Sequence, residues 1–117
     1  MFIWADDTEY TLRITSERRA FIVGKSRVTH LRALSGAPSL FHEKNPRRIQ
    51  YHRYGVRNHL FVTRKYFGRR ATLRYIKEHL VLIMRLCRAG MFRKAGVVIA
   101  GLAQGMRYSP PAEPVDP

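Results

Sequence analysis

The sequence predicts a small α+β protein in which a short helix and two short strands precede about three basic amphipathic helices. A chain of 117 residues with 45% apolar content suits one packed domain and no more. Apolar residues recur at helical spacing only after about residue 48. The charge changes near the same place, since residues 44–107 contain sixteen basic residues and the single acid Glu78.

The N-terminal third contains the predicted helix and strands. Asp6 and Glu9 have the spacing of a capping box, which predicts a helix over residues 8–15. Residues 21–24 and 27–30 are typical of two short strands separated by a Gly-Lys-Ser turn. Residues 31–48 combine Gly, Pro, Ser and Asn without a clear period, which predicts a loop.

Three helices are predicted after this loop, over residues 49–67, 71–89 and 92–106. Gly55 interrupts the first, and Gly90 is the expected stop of the second. The third is rich in small residues, and Gly101 and Gly105 have a GxxxG spacing that is weak evidence for helix pairing outside a membrane. The clearest apolar row is that of the second helix: Leu73, Ile76, Leu80, Ile83, Met84 and Cys87.

The composition limits the class of protein and partner. A net charge of +14 and a pI near 11.1 favour an anionic partner such as nucleic acid, phospholipid or a phosphorylated substrate. Cys87 is the one cysteine, which excludes an intrachain disulfide and a cysteine-rich zinc site and favours a reducing compartment. Neither a membrane-spanning stretch nor a secretory signal is evident, so we expect a cytoplasmic location.

An acidic cluster beside a tryptophan opens the chain. Asp6, Asp7 and Glu9 next to Trp4 suit general-base chemistry, because a carboxylate can take a hydroxyl proton while the aromatic ring excludes water. The alternative is that these acids only cap a helix and complement its dipole. His30, at the end of a predicted strand, is a candidate metal ligand or a structural histidine.

Residues 2–13, FIWADDTEYTLR, resemble the F-I-W-x-D-D-x-E-Y-x-x-R segment of family 2 glycosyltransferases, particularly the galactofuranosyltransferase-like and rhamnosyltransferase-like branches. Residues 51–58, YHRYGVRN, look like the family's Y-Y-x-x-R-N block. The resemblance covers residues 1 to about 107. It implies that residues 1–45 are the C-terminal portion of a GT-A catalytic domain and that 46–107 are a basic helical region. Residues 108–117 contain four prolines, which predicts an extended or disordered tail.

The resemblance also implies roles for single residues in an inverting hexosyltransferase. Asp7 would be the base that deprotonates the acceptor, Asp6 and Glu9 would line the acceptor pocket, and Trp4 would offer a stacking face. His30 would help bind a divalent cation, Mn²⁺ or Mg²⁺, on the donor diphosphate.

The 117 residues lack the family's nucleotide-binding half and its D-x-D motif. We therefore expect a fragment that is inactive alone. In the complete enzyme it would serve transfer from a nucleotide sugar to a glycan or lipid-linked acceptor in cell-envelope polysaccharide synthesis.

The basic helices predict binding to an anionic membrane, peripheral to the inner face of the cell membrane. Their densest cluster of charge is Arg64, Lys65, Arg69 and Arg70. Three alternatives remain open: the apolar stripes pack on the missing half, the chain binds nucleic acid, or it is a vestigial interaction module. No RNP, KH or zinc-finger pattern supports nucleic-acid binding.

Overall fold

The fold is all-α over the residues that the structure describes. In the computed structural model these are residues 5–19, 21, 24–25, 27 and 39–110, with only the backbone described for Asp6 and Glu17. A π-helical turn at Thr63–Phe67 follows the second helix directly. The α-helices are α1 at Asp6–Glu17, α2 at Pro46–Val62, α3 at Gly68–Arg88 and α4 at Phe92–Arg107.

The prediction of an α+β fold, with two strands at the edge of a GT-A domain, is wrong. No strand occurs in the described part of the chain: Phe21 and Arg27 lie outside any ladder, while Gly24 and Lys25 form the expected turn. The other positions of the two predicted strands lie outside the described residues. Two four-residue segments form at most a single hairpin, which is marginal in water, whereas the helices bury a shared core.

The N-terminus of α2 begins three residues earlier than the apolar spacing predicts. The Asn45 side chain accepts hydrogen bonds from the backbone N–H groups of Arg47 at 3.0 Å and Arg48 at 3.5 Å, and Pro46 occupies the first helical position. The predicted interruption at Gly55 is also wrong, because this glycine lies buried within a continuous helix.

Two glycines with positive φ reverse the chain on either side of α3. Gly68, with φ 76°, follows the π-helical turn and sends α3 back along α2, where the Tyr75 hydroxyl donates to the Val56 carbonyl at 3.4 Å. Gly90, with φ 72°, completes a Schellman motif: its N–H donates to Cys87 O and that of Met91 to Leu86 O. The predicted stop at Gly90 is confirmed.

The closest helix contact joins α4 to α2 through Gly101 and Gly105. A Cβ added to Gly101 would lie 2.8 Å from the Arg53 carbonyl oxygen and 2.8 Å from Val56 Cβ. One added to Gly105 would lie 2.9 Å from Leu60 Cδ2. Gly101 contacts Arg53 and Val56, and Gly105, one turn later on α4, contacts Leu60, one turn later on α2. The helices α2 and α4 therefore run parallel, and α3, which connects them, runs antiparallel to both.

Two apolar clusters close the ends of this bundle. Leu40, Leu86, Ala95 and Val98 pack together where α3 turns into α4. At the opposite end, α1 docks on the C-terminus of α2 through a cluster that includes Ala5, Phe61, Val62, Leu12 and Tyr108. The N-terminal helix is therefore part of the same packed unit as the basic helices.

We expect Gly101→Ala to lower the free energy of unfolding by about 1–3 kcal/mol, because the new methyl group meets backbone at a distance that helices avoid. Gly96→Ala is the matched control, since a Cβ there meets nothing within 4 Å and alanine favours a helix by roughly 1 kcal/mol. Urea denaturation of both variants measures the difference. Equal stability of the two would contradict the close packing of α2 on α4.

Candidate anion-binding surface

Glu9 is engaged in contacts that join α1 to the π-helical turn. Its Oε1 accepts hydrogen bonds from Lys65 Nζ at 3.1 Å and from the Tyr66 hydroxyl at 2.9 Å. Its Oε2 lies 3.5 Å from Arg13 Nε, one helical turn along α1. A carboxylate with three partners cross-links α1 to the π-helical turn, and the role of Glu9 in an acceptor pocket stays a prediction.

The contacts of Glu9 also determine its protonation. Burial by itself raises the pKa of Glu9, but hydrogen bonds from Lys65 and Tyr66 and the charges of Lys65 and Arg13 outweigh it, so the pKa lies below its ordinary value. The hydrogen bond with Tyr66 raises the pKa of Lys65, and Glu9 adds to this effect. Glu9 and Lys65 thus stabilise each other's charged forms.

The other residues of the predicted transferase site are not brought together by the described chain. Asp7 is exposed on α1, and its carbonyl oxygen accepts a hydrogen bond from Thr11 Oγ1 at 2.8 Å. Trp4, His30 and the side chain of Asp6 lie outside the described residues. Among the described residues no group of His, Cys, Asp and Glu side chains could hold a metal ion.

Two members of the predicted cluster of four cations bind other groups of the protein. Arg64 donates to the carbonyl oxygens of Met106 and Tyr108, which belong to the otherwise unsatisfied C-terminal end of α4. Lys65 is exposed and binds Glu9. Arg69 and Arg70, in the first turn of α3, are exposed and form no ion pair with a described acid. This second pair is the more available to an external anion.

The second family-like block, residues 51–58, also serves internal packing. The Arg57 guanidinium lies 4.1 Å from the ring centre of Tyr108 and 5.1 Å from that of Tyr54. Its Nε donates to Asn58 Oδ1 at 3.0 Å, and Asn58 is buried. These contacts hold the residues after α4 against α2.

A straight row of cations runs along the outer side of α3, and we call it the basic stripe. Its members recur at spacings of three, four or eight residues, which places them on one helical face about 27 Å long. Each is exposed, and none forms an ion pair with a described acid. The basic stripe consists of Arg70, Arg74, Lys77, Arg85 and Arg88.

Beside the basic stripe lies a set of large apolar side chains in contact with solvent, which we call the apolar face. On α3 it contains members of the predicted apolar row, whereas the buried residues of this helix are Thr72 and Leu86. On α4 it follows a seven-residue repeat. The apolar face consists of Leu73, Leu80, Met84, Phe92, Ile99 and Met106, each between 51% and 68% exposed.

Both rows of the apolar face point away from α2. On α3 the contact with α2 is made by Tyr75, and Leu80 lies on the opposite side of the helix at about 100° per residue. On α4 the contact is made by Gly101, and Ile99 lies opposite it by the same rotation. Since α3 and α4 are packed neighbours, the two rows form one surface on the far side of the bundle.

Cations flank the apolar face. The basic stripe follows its edge on α3, and on α4 the exposed residues Arg93 and Arg107 lie about 100° around the helix from Phe92 and Met106. The acid nearest to these rows in sequence is Glu78, on the far side of the basic stripe. In the part of the chain that the structure describes, no helix has the length and apolar character needed to cross a bilayer.

The sequence prediction missed the basic stripe, because it selected the cations that are adjacent in the chain. The adjacent pairs Arg64-Lys65 and Arg69-Arg70 mark charge density along the chain, whereas Arg74, Lys77 and Arg85 are scattered in sequence and aligned only on a helix. Plotting charge on the predicted helix of residues 71–89 would have found them.

Comparisons of the chain with known protein families, with curated proteins and with solved structures find no match in any of the three.

We expect Glu9→Gln to lower the free energy of unfolding by about 1 kcal/mol at neutral pH, because charge-assisted hydrogen bonds to Lys65 and Tyr66 become neutral ones. The folded-state pKa of Glu9 lies below the unfolded value of about 4.3, so its stabilisation is present above that pH and is lost as the pH falls through the folded pKa. Urea denaturation of the unsubstituted protein and of Glu9→Gln, repeated from about pH 6 to about pH 3, should show their difference in free energy of unfolding becoming smaller.

Glu78→Gln serves as the control, since it removes one exposed carboxylate that forms no ion pair with a described residue. Its effect should stay within about 0.5 kcal/mol. If Glu9→Gln changes the free energy of unfolding equally at both ends of the pH range, the ionised carboxylate does not stabilise the fold.

Proposed function

We propose that this protein docks on the surface of an anionic membrane through α3 and α4. The observation that carries the proposal is the exposed apolar face, with the basic stripe along its edge on α3 and with Arg93 and Arg107 on α4. Such a face has the features of a helix pair that lies in the membrane interface, where apolar side chains enter the acyl boundary and cations contact anionic headgroups. A contiguous exposed apolar surface rimmed by polar residues is also typical of interaction sites in general.

The chemistry of the apolar face favours lipid over nucleic acid. Five of the six members of the apolar face, all but Phe92, have aliphatic or thioether side chains, which gain free energy by leaving water but offer no ring for stacking on a base. A nucleic-acid surface combines its cations with aromatic or hydrogen-bonding side chains. The basic stripe alone suits either anion, and the mainly aliphatic apolar face supports lipid.

The family 2 glycosyltransferase hypothesis stays a prediction from resemblance. Of its proposed site, Glu9 serves a structural contact, and Asp7 is exposed and remains the candidate base. Membrane docking of α3 and α4 is compatible with an enzyme that acts on a lipid-linked acceptor. Packing of the apolar face on another protein surface is the competing explanation.

We expect the chain to co-sediment with vesicles of phosphatidylglycerol and not with vesicles of phosphatidylcholine. The triple variant Arg74→Gln/Lys77→Gln/Arg85→Gln should bind about 100-fold more weakly, since each cation near an anionic surface contributes about 1 kcal/mol. The triple variant Arg18→Gln/Arg19→Gln/Lys25→Gln loses the same charge outside α3. Its affinity should fall much less.

Leu73→Ser/Leu80→Ser should retain binding at low salt but lose it at moderate salt, because the apolar contribution is not screened. The control is Phe21→Ser, which removes an exposed apolar side chain outside the bundle. Binding to RNA with a steep salt dependence, together with no binding to vesicles, would overturn the proposal in favour of a nucleic-acid function. Binding to neither would favour a protein partner on the apolar face.

A further inference from the structure

A cavity of about 290 Å³ lies between the N-terminal ends of α2 and α4, outside the basic stripe. Ile49, from α2, and Met91, Phe92 and Val97, around the start of α4, provide its apolar lining. This size approaches the lower end of the range for small-molecule sites, which are concave, largely apolar and equipped with a few polar groups. The cavity therefore has room for a small headgroup or for part of a chain.

Three cations line the same cavity: Lys44, Arg93 and Lys94. No carboxylate is among its lining residues. Lys94 is half-buried, and its Nζ donates to the carbonyl oxygen of Phe41 at 2.7 Å. That bond uses one of the three ammonium protons of Lys94, so two N–H donors remain.

We propose that this cavity binds a phosphate monoester that carries an apolar chain. A phosphate monoester has close to two negative charges at neutral pH and three acceptor oxygens, which suits the combined donors of Lys44, Arg93 and Lys94. A guanidinium can contact two phosphate oxygens at once, and lysine acts as a point charge. The apolar lining from Ile49 and Met91 suits the first part of an attached chain.

The position of Phe92 connects this cavity to the apolar face. Phe92 belongs to both, so a lipid whose acyl chain lies along the apolar face can place its headgroup phosphate at Arg93, the next residue. The lipid form of the ligand rests on the proposed membrane docking. Binding of a soluble phosphate amphiphile does not depend on membrane docking, and vesicle binding and amphiphile binding are measured separately.

The proposal is tested by NMR: the full chain is titrated with dihexanoyl phosphatidic acid below its critical micelle concentration. We expect saturable shifts of the Ile49 and Met91 methyl groups. Dihexanoyl phosphatidylcholine, which lacks the net charge, and inorganic phosphate, which lacks the chain, should each bind at least about tenfold more weakly. Equal binding of inorganic phosphate would mean a simple anion site and would overturn the apolar part of the proposal.

Lys44→Gln/Arg93→Gln should weaken binding of dihexanoyl phosphatidic acid by about tenfold or more, since two charges near the phosphate are lost. Arg74→Gln/Lys77→Gln removes the same charge from the basic stripe and should leave the soluble affinity unchanged. Gln50→Trp keeps the charge but fills the cavity from an exposed lining position, and should abolish the methyl shifts.

The two proposals fail separately. If vesicles of phosphatidylglycerol bind but dihexanoyl phosphatidic acid leaves the Ile49 and Met91 methyl groups unshifted, membrane docking stands and the cavity site is wrong. If the soluble amphiphile binds but no vesicle does, the cavity site stands for a soluble phosphate ligand. If Lys44→Gln/Arg93→Gln and Arg74→Gln/Lys77→Gln weaken soluble binding equally, the effect is net charge alone and the site is wrong.

Discussion

The close approach of α4 to α2 at Gly101 and Gly105 determines the arrangement of the rest of the bundle. Because neither glycine has a side chain, the backbone of α4 packs directly on Val56 and Leu60. This contact fixes the rotation of α4 about its own axis, and the rotation turns Ile99 to solvent. The apolar face on α4 is therefore a consequence of how the opposite side of the helix is packed.

The same contact places the C-terminal end of α4 beside the π-helical turn, where several charged groups are used internally. Arg64 binds the last carbonyl oxygens of α4, Lys65 binds Glu9, and Arg57 lies over Tyr108. In a chain with a net charge of +14 these cations bind the protein's own acceptors and rings. The exposed cations left for an external anion include those of the basic stripe, Arg93 and Arg107 on α4, and Lys44 before α2.

Part of the proposed surface could be predicted from the sequence and part could not. The helix of residues 71–89 and its apolar row were predicted, but which residues of the helix are buried was not. Leu86, which is not a member of the row, is the buried apolar residue of α3, whereas Leu73, Leu80 and Met84 at one edge of the row stay exposed. Which part of an apolar arc becomes core depends on the neighbouring helices, and this information is absent from the periodicity of a single helix.

The sequence by itself determined the helices of residues 46–107 to within a few residues, the end at Gly90 and the excess of basic charge. These properties depend on residues close together in the chain, through side-chain spacing, capping and glycine conformation. The tertiary structure decided that the described fold is all-α, that Glu9 pairs with Lys65, and that Gly101 is a contact within one molecule. Glu9 and Lys65 are 56 residues apart, and only packing brings such pairs together.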